Sequence, residues 1–458
     1  MRFAFHFGGR VTTLLLGAAL VAGTGCGSLT DSLLQAEDPD LIMPENARSA
    51  AGSVAVANGA LGRLRNVTAG SESTWLFGGL LADEWGTSST FIQNDEADWR
   101  KVQPNNSSVG GMLRRLYQVR TYANQAIPLL KEFQPTRTSL IGEMYFARGF
   151  AELQLASDFC NGIPLSDGSG TEIKYGGPLP VSKVFEAAIA SFDTALKTAT
   201  GTDAQSVLVQ RAAKVGMARA QLGNGLLQEA AATVAGIPTD FRYQTTFSLT
   251  TTSNIIWDQG MSAKRYTVAD NLEGNSRNLV IANAIPFYSA KDPRLPVVDT
   301  KRPGQDGGTF VRTTTLYDRL TPIDVVNGVD ARLIEAEAAL KRGSDSWLTI
   351  LNALRNGPDR VTSVGTVTLA ALPDLTDPGT ADARVNLVFY EKAFWTFSRG
   401  QRLGDLRRLI RQYNRTPATT FPVGTHYKTT AYGDDVNFPI HTDEENNKNF
   451  KACTDRNA

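Results

Sequence analysis

Leu387-Val388-Phe389-Tyr390-Glu391-Lys392-Ala393-Phe394-Trp395-Thr396-Phe397-Ser398-Arg399-Gly400-Gln401-Arg402-Leu403-Gly404-Asp405-Leu406-Arg407-Arg408 is the run from which the fold is read. Leu387, Tyr390, Phe394 and Phe397 recur at intervals of three and four residues, so one face of a helix carries them all. Aromatic residues at that spacing pack helices far more often than they hold ligands, and the stripe is assigned to a core. Six arginines, Arg399, Arg402, Arg407, Arg408, Arg411 and Arg415, surround Asp405. An anion site is one reading of them. Arginines near a helix end more commonly pair with carboxylates elsewhere in a fold and satisfy terminal carbonyls, and that reading is preferred.

The same periodicity extends outward along the chain. Leu140, Met144, Ala147, Ala151 and Leu155 share one helical face that ends before Asn161-Gly162-Ile163-Pro164. Phe185, Ile189, Phe192 and Leu196 form another after Ser182, the expected N-cap. Residues 204–236 read as two helices broken at Gly223-Asn224-Gly225, with Ala212, Ala220, Leu222, Ala230 and Ala232 as close-approach positions. That unit is similar in size and turn to a tetratricopeptide repeat of ~34 residues. Asp330 to Arg355, with Leu333, Ala336 and Leu340 before the turn Arg342-Gly343-Ser344, is a second hairpin of the kind. The expected fold class is mostly α, tetratricopeptide-like hairpins over about 44–64, 108–236 and 329–411 packed with an irregular, loop-rich lobe. The lobe is expected from 65–107 and 237–328, which are rich in Gly, Ser, Thr and Asn and lack sustained alternation, with short strands around Ser253 to Trp257. Loops of that length in a compact protein are functional or disordered, and their aromatic content favours order.

The chain has 458 residues, 46 basic against 46 acidic, so its charge offers no footprint for a nucleic acid, and none is expected as a partner. No apolar run approaches the ~18 residues of a spanning helix. Residues 1–25 carry Arg2 and Arg10, then the apolar run Val11 to Val21 and small residues up to Cys26, which is the order of a secretory signal. The approach to Cys26 resembles the lipobox of bacterial lipoproteins, with Gly23 where that motif has Leu. Cys26 is therefore the expected lipid attachment, which would hold residues 26–458 to a membrane surface as a single body; a plain leader is the alternative. Cys160 and Cys453 remain, either as a disulfide or as two thiols.

Catalytic signatures are absent from the sequence. There is no P-loop, no complete dinucleotide fingerprint and no nucleophile elbow. His426 and His441 have no zinc-ligand spacing, and Asp167, Ser169 and Thr171 lack the carboxylate density of a calcium loop. No metal, cofactor or catalytic residue is assigned. Asp83-Glu84 beside Trp85 is the nearest approach to a glycosidase pair, but adjacent carboxylates point in different directions.

Several segments together resemble the SusD/RagB family of outer-membrane nutrient-binding lipoproteins. They are Tyr145-Phe146-Ala147-Arg148-Gly149-Phe150 with Asn161-Gly162-Ile163-Pro164-Leu165, Leu179 to Phe185 with Phe192 to Leu196, and Ala212 to Ala230. Asp292-Pro293-Arg294 and Ala331 to Ala338 with Leu351 to Arg355 follow in order. Glu391-Lys392 through Gly400-x-Arg402-x-x-Asp405-Leu406-x-Arg408 matches the family's late run except at Lys392, Trp395 and Arg399. Phe438-Pro439-Ile440 with Glu444-Glu445-Asn446 is similar to its closing segment. The resemblance implies a non-enzymatic, lipid-anchored protein outside the outer membrane. It would bind an oligosaccharide or peptide and pass it to a TonB-dependent, SusC-like transporter, with the helical pairs facing that transporter. A secreted hydrolase using carboxylates and a helical-repeat adaptor are the alternatives. No family motif fixes ligand residues. Aromatic faces suit sugar rings and apolar side chains, so the candidates are Trp75, Trp85 and Trp99 in the first loop region and Trp257, Tyr266 and Tyr288 in the second.

Overall fold

The structure, a computed structural model, describes residues 47–273, 279–357, 369–429 and 431–458. The expected leader and Cys26 lie outside the described residues. The first helices are α1 (Ala50–Ala69), α2 (Thr74–Leu81), α3 (Ile92–Asp98), α4 (Ser107–Phe133) and α5 (Thr138–Asp158). They are followed by α6 (Val181–Thr198), α7 (Ala204–Gly223) and α8 (Leu227–Val234), and later by α9 (Gly328–Lys341), α10 (Ser346–Asn356), α11 (Ala381–Trp395) and α12 (Arg402–Tyr413). Helices pack mainly on chain neighbours: α5 lies on α4 and α6, α6 on α7, α7 on α8, and α9 on α10. This is the layered hairpin body that the periodicity predicts.

Its interior shows why small residues recur. A Cβ at Gly216 would stand 2.5 Å from the Phe192 ring, so α7 approaches α6 only because Gly216 has no side chain. Ala212, Ala220, Leu222 and Ala230 are buried as expected, whereas Ala232 is exposed on the outer face of α8. Ser182 is not the cap of α6. The helix starts at Val181 behind Pro180, and the Val181 N–H donates to Asn161 Oδ1 at 2.8 Å, a partner from a distant turn. The aromatic stripe on α11 also outlasts its helix, since Phe397 lies two residues beyond Trp395 yet is fully buried.

The expected loop regions contain more regular structure than their composition suggests. Residues 65–107 hold the end of α1 and all of α2 and α3. α2 is buried on every side, so it has no polar face and no amphipathic period to read. Within 237–328 lie β4 (Arg242–Thr245), β5 (Tyr266–Val268), β6 (Val297–Pro303), β7 (Phe310–Thr314) and β8 (Ile323–Asn327). They form antiparallel two-stranded ladders, β4 with β8 and β6 with β7, while β5 pairs with β1 (Trp85–Thr87). A fourth ladder joins β2 (Ile163–Pro164) to β3 (Pro178–Leu179). The expected strand at Ser253 to Trp257 is instead a helical turn, because Asn254 Oδ1 accepts from the N–H groups of Ile256 and Trp257. The chain after α12 returns to this lobe: the Gly433 N–H donates to the Trp99 carbonyl, and Arg100 donates to the carbonyls of Pro422 and Asp435. No helix among the described residues is long and apolar enough to cross a membrane.

Candidate functional site

The arginine run is structural. Arg399 forms two 2.8 Å bonds with the Asp330 carboxylate, with both side chains buried. Arg408 reaches Asp405 and Glu337, and Lys392 bridges the same two carboxylates. Arg407 and Arg411 donate to backbone carbonyls of α5 and α7. Burial pushes Asp330 upward, but the Arg399 guanidinium outweighs it and holds the carboxyl below its ordinary range. Lys392 and Arg399, two of the departures from the family run, thus carry ion pairs of their own, and Trp395 packs in a second core with Trp347 and Leu351. Asp167 takes the N–H of Ser169 in a polar turn.

The chain leaves α2 at Leu81 and turns sharply at Asp83, whose φ of 60° lies in the left-handed region that Asp tolerates better than most residues. The turn launches β1, and β1 on β5 builds one wall of a cleft. Asp83, Asp98, Asp270 and Glu273 line it with Arg312, Tyr427 and Tyr432, and Leu272 and Phe310 are exposed at its edge. Asp98 Oδ2 accepts from the Thr87 N–H at 2.8 Å, the Tyr427 hydroxyl at 3.0 Å and His426 Nε2 at 3.2 Å. Tyr427 also donates to the Thr87 carbonyl. Asp270 accepts from the N–H and hydroxyl of Ser289 and faces Arg312, whose guanidinium lies 4.2 Å from the centre of the Tyr288 ring.

Asp83 differs from its neighbours. It is 5% exposed, and its Oδ2 has no hydrogen-bond partner. Burial first, and then the nearby charges of Asp98 and Asp270 acting against Arg402, hold its carboxyl well above the usual range. Burial also raises the phenols of Tyr427 and Tyr432, which stay neutral and able to donate. Glu84 faces elsewhere: its Oε1 accepts from the Ser398 N–H at 3.0 Å in the core, and burial pushes it to about 8. Asp83 and Glu84 therefore do not face one substrate as a pair. Among the described residues, no three His, Cys, Asp or Glu converge closely enough to hold a metal ion.

Three of the six candidate aromatics belong to the core. Trp75 and Trp85 are buried, and Tyr266 is buried against Trp85. The Trp85 Nε1–H donates to Ser398 Oγ at 3.0 Å, and its ring meets Phe397. Gly400, at φ 63°, leaves room for Trp75 where a Cβ would fall 2.2 Å from the indole. These rings have no face left for a ligand. Trp99, Trp257 and Tyr288 are half-buried. Trp99 borders the cleft through His426, which stacks on Tyr427 at 4.4 Å, and Tyr288 borders it through Arg312. Trp257 packs against the main core beyond the cleft's lining. Sequence reasoning missed Tyr427 and Tyr432, which sit among Gly424, His426 and Gly433 without helical spacing; that aromatic, glycine-punctuated composition was the available signal.

A larger groove runs along α1 beside α5, α7 and β4, where Leu61, Leu64 and Leu208 mix with amides, threonines and Arg65, and its one ring, Tyr243, is engaged with Glu143. Cys160 and Cys453 are joined, with sulfur atoms 2.07 Å apart, tying the C-terminal tail to the turn after α5.

No family model matches the chain, and no curated protein matches it in sequence. Solved structures do match it in fold. A SusD superfamily protein of Bacteroides vulgatus superposes with a TM-score of 0.61 at 16% identity, over 89% of this chain and 99% of the other. A SusD/RagB family protein of Bacteroides thetaiotaomicron gives 0.61 at 11%, over 87% and 94%. A SusD-like carbohydrate-binding protein of B. vulgatus gives 0.56 at 14%, over 88% and 97%. The likeness is one of fold, and it spans nearly the whole length of each of these proteins.

Proposed function

From the SusD/RagB fold that this chain carries, we propose that it is a nutrient-binding protein which captures a glycan oligomer or a peptide and hands it to a TonB-dependent transporter in the outer membrane. The observation that carries this reading is the cleft beside β1 and β5. It joins aromatic edges to polar groups, the combination that orients a sugar or peptide, and it sits in the irregular lobe. The similarity to a carbohydrate-binding relative favours a glycan. Cys26 would carry the lipid that holds the body to the outer face of the membrane, as the sequence leading into it suggests. No catalytic step is assigned, and capture without turnover is the expected behaviour. Trp99 and Tyr288 are the sequence-derived aromatics that remain best placed at the cleft, and Trp257 lies outside its lining.

The test is recovery of the full-length protein from its native membrane in mild detergent, with the co-purifying chain identified by mass. A large outer-membrane barrel is the expected partner. Repeated recovery of this chain alone would overturn the delivery role, and product release from a bound glycan would overturn the non-catalytic reading.

A further inference from the structure

The cleft wall contains one polar group whose needs the protein leaves unmet. Asp98 and Asp270 take their hydrogen bonds from Thr87, Tyr427, His426, Ser289 and Arg312. Asp83 lines the same cleft, is 95% buried by the 5% exposure of its side chain and backbone, and its Oδ2 receives none. A buried carboxylate oxygen without a partner is costly, and where native structures keep one it calls for an explanation. The charges nearest Asp83 are Arg402 and Arg100 in support and Asp98 and Asp270 in opposition, with the Tyr432 phenol also facing it. No hydrogen bond joins Asp83 to either arginine, and Arg402 also serves Glu84 and Asp405.

Resting on the capture reading above, we infer that this cleft, which Asp98 and Asp270 also line, selects a ligand bearing a primary ammonium group that donates to Asp83 Oδ2. An ammonium brings three N–H donors and no acceptor, so it suits a wall of carboxylate oxygens better than a hydroxyl, which must also place its own lone pairs. A bound metal ion is the other cation a carboxylate wall could take, but the acids here do not converge on one point. Two ligand classes carry the group: an amino sugar with its nitrogen unacylated, and a lysine-bearing peptide.

The experiment is titration calorimetry at pH 7 on the full-length protein with two matched pairs of probes. One pair is a β-1,4-linked glucosamine tetramer and its N-acetylated counterpart; the other is a lysine-bearing tetrapeptide and its Nε-acetylated form. The expected result is that the charged member of one pair binds at least ~10-fold more tightly than its acetylated twin. Whichever pair shows this names the source of the ammonium. Asp83→Asn, which keeps a residue suited to the left-handed backbone, should bring the ratio near one. Asp270→Asn should lower the ratio only a few-fold, a second reading that survives if the first variant folds poorly. Equal binding of charged and acetylated members would overturn the inference while leaving the capture role standing. A transporter recovered in the pull-down with neither charged probe binding at millimolar concentration would do the same, and an unchanged ratio in a folded Asp83→Asn protein would remove Asp83 from it.

Discussion

The end of α11 and the lobe around β1 bury charge in opposite ways. Around α9, α11 and α12, Asp330, Glu337, Glu391 and Asp405 are each met by Arg399, Lys392, Arg408, Arg294 or Arg355 within hydrogen-bond reach. In the lobe, Asp83 is buried with a bare oxygen, and that burial raises its proton affinity. A cluster of matched charges fixes how helices register on one another, since each member is costly to leave alone. A cluster with an unmatched member has something left to bind. Clustered charge in a sequence therefore says little about function until the partners are known.

The contrast can be broken most severely at Arg399. Arg399→Ala strands Asp330 in the interior and should cost about 3–5 kcal/mol in urea unfolding, whereas Asp83→Asn should leave stability unchanged or raise it. Cys453→Ser comes next. Releasing a loop that spans 293 residues should cost about 2–4 kcal/mol by the same measurement, and addition of reductant to the unmodified protein should reproduce it.

A pH dependence follows from the raised carboxyls in and beside the lobe. Burial lifts Glu84 to about 8 and Asp158 to about 7, above their values in the unfolded chain. The stability linked to them is present below the unfolded value and lost as pH rises toward the folded one. Thermal unfolding should thus fall from pH 5 to pH 8, with each carboxyl contributing at most about 1.4 kcal/mol per pH unit, and Glu84→Gln should flatten the slope. The matched cluster behaves oppositely: Asp292 and Asp330 are held low, because arginine outweighs burial, and their contribution is lost only in acid below about pH 4. Least of all, removal of the exposed Lys183–Glu186 pair by Lys183→Ala should produce no measurable change in the melting curve.

How much of this was legible in the sequence depended on the range of the interactions. The hairpins at 204–236 and 330–355 were read closely because their signals are local: apolar spacing, a Gly turn, and helix lengths within ordinary bounds. α2 was not, since a helix buried all round presents no period. Ser182 failed as a cap because the group that supplies that role belongs to Asn161, twenty residues earlier. Composition alone makes Trp75, Trp85 and Tyr266 candidate ligand faces, and it cannot tell a ring in a cleft from one in a core.

By itself, then, the sequence determined the helical body, its likeness to the SusD/RagB proteins and the absence of a catalytic signature, because period, turn chemistry and motif order are carried by neighbours in the chain. The tertiary structure alone decided where the chemistry sits. The cleft draws Asp83 from the end of α2, Asp270 from beyond β5, Arg312 from β7 and Tyr427 from the return of the chain after α12. Burial then separates them, leaving Asp98 and Asp270 satisfied and Asp83 bare, and no residue type or spacing encodes that difference.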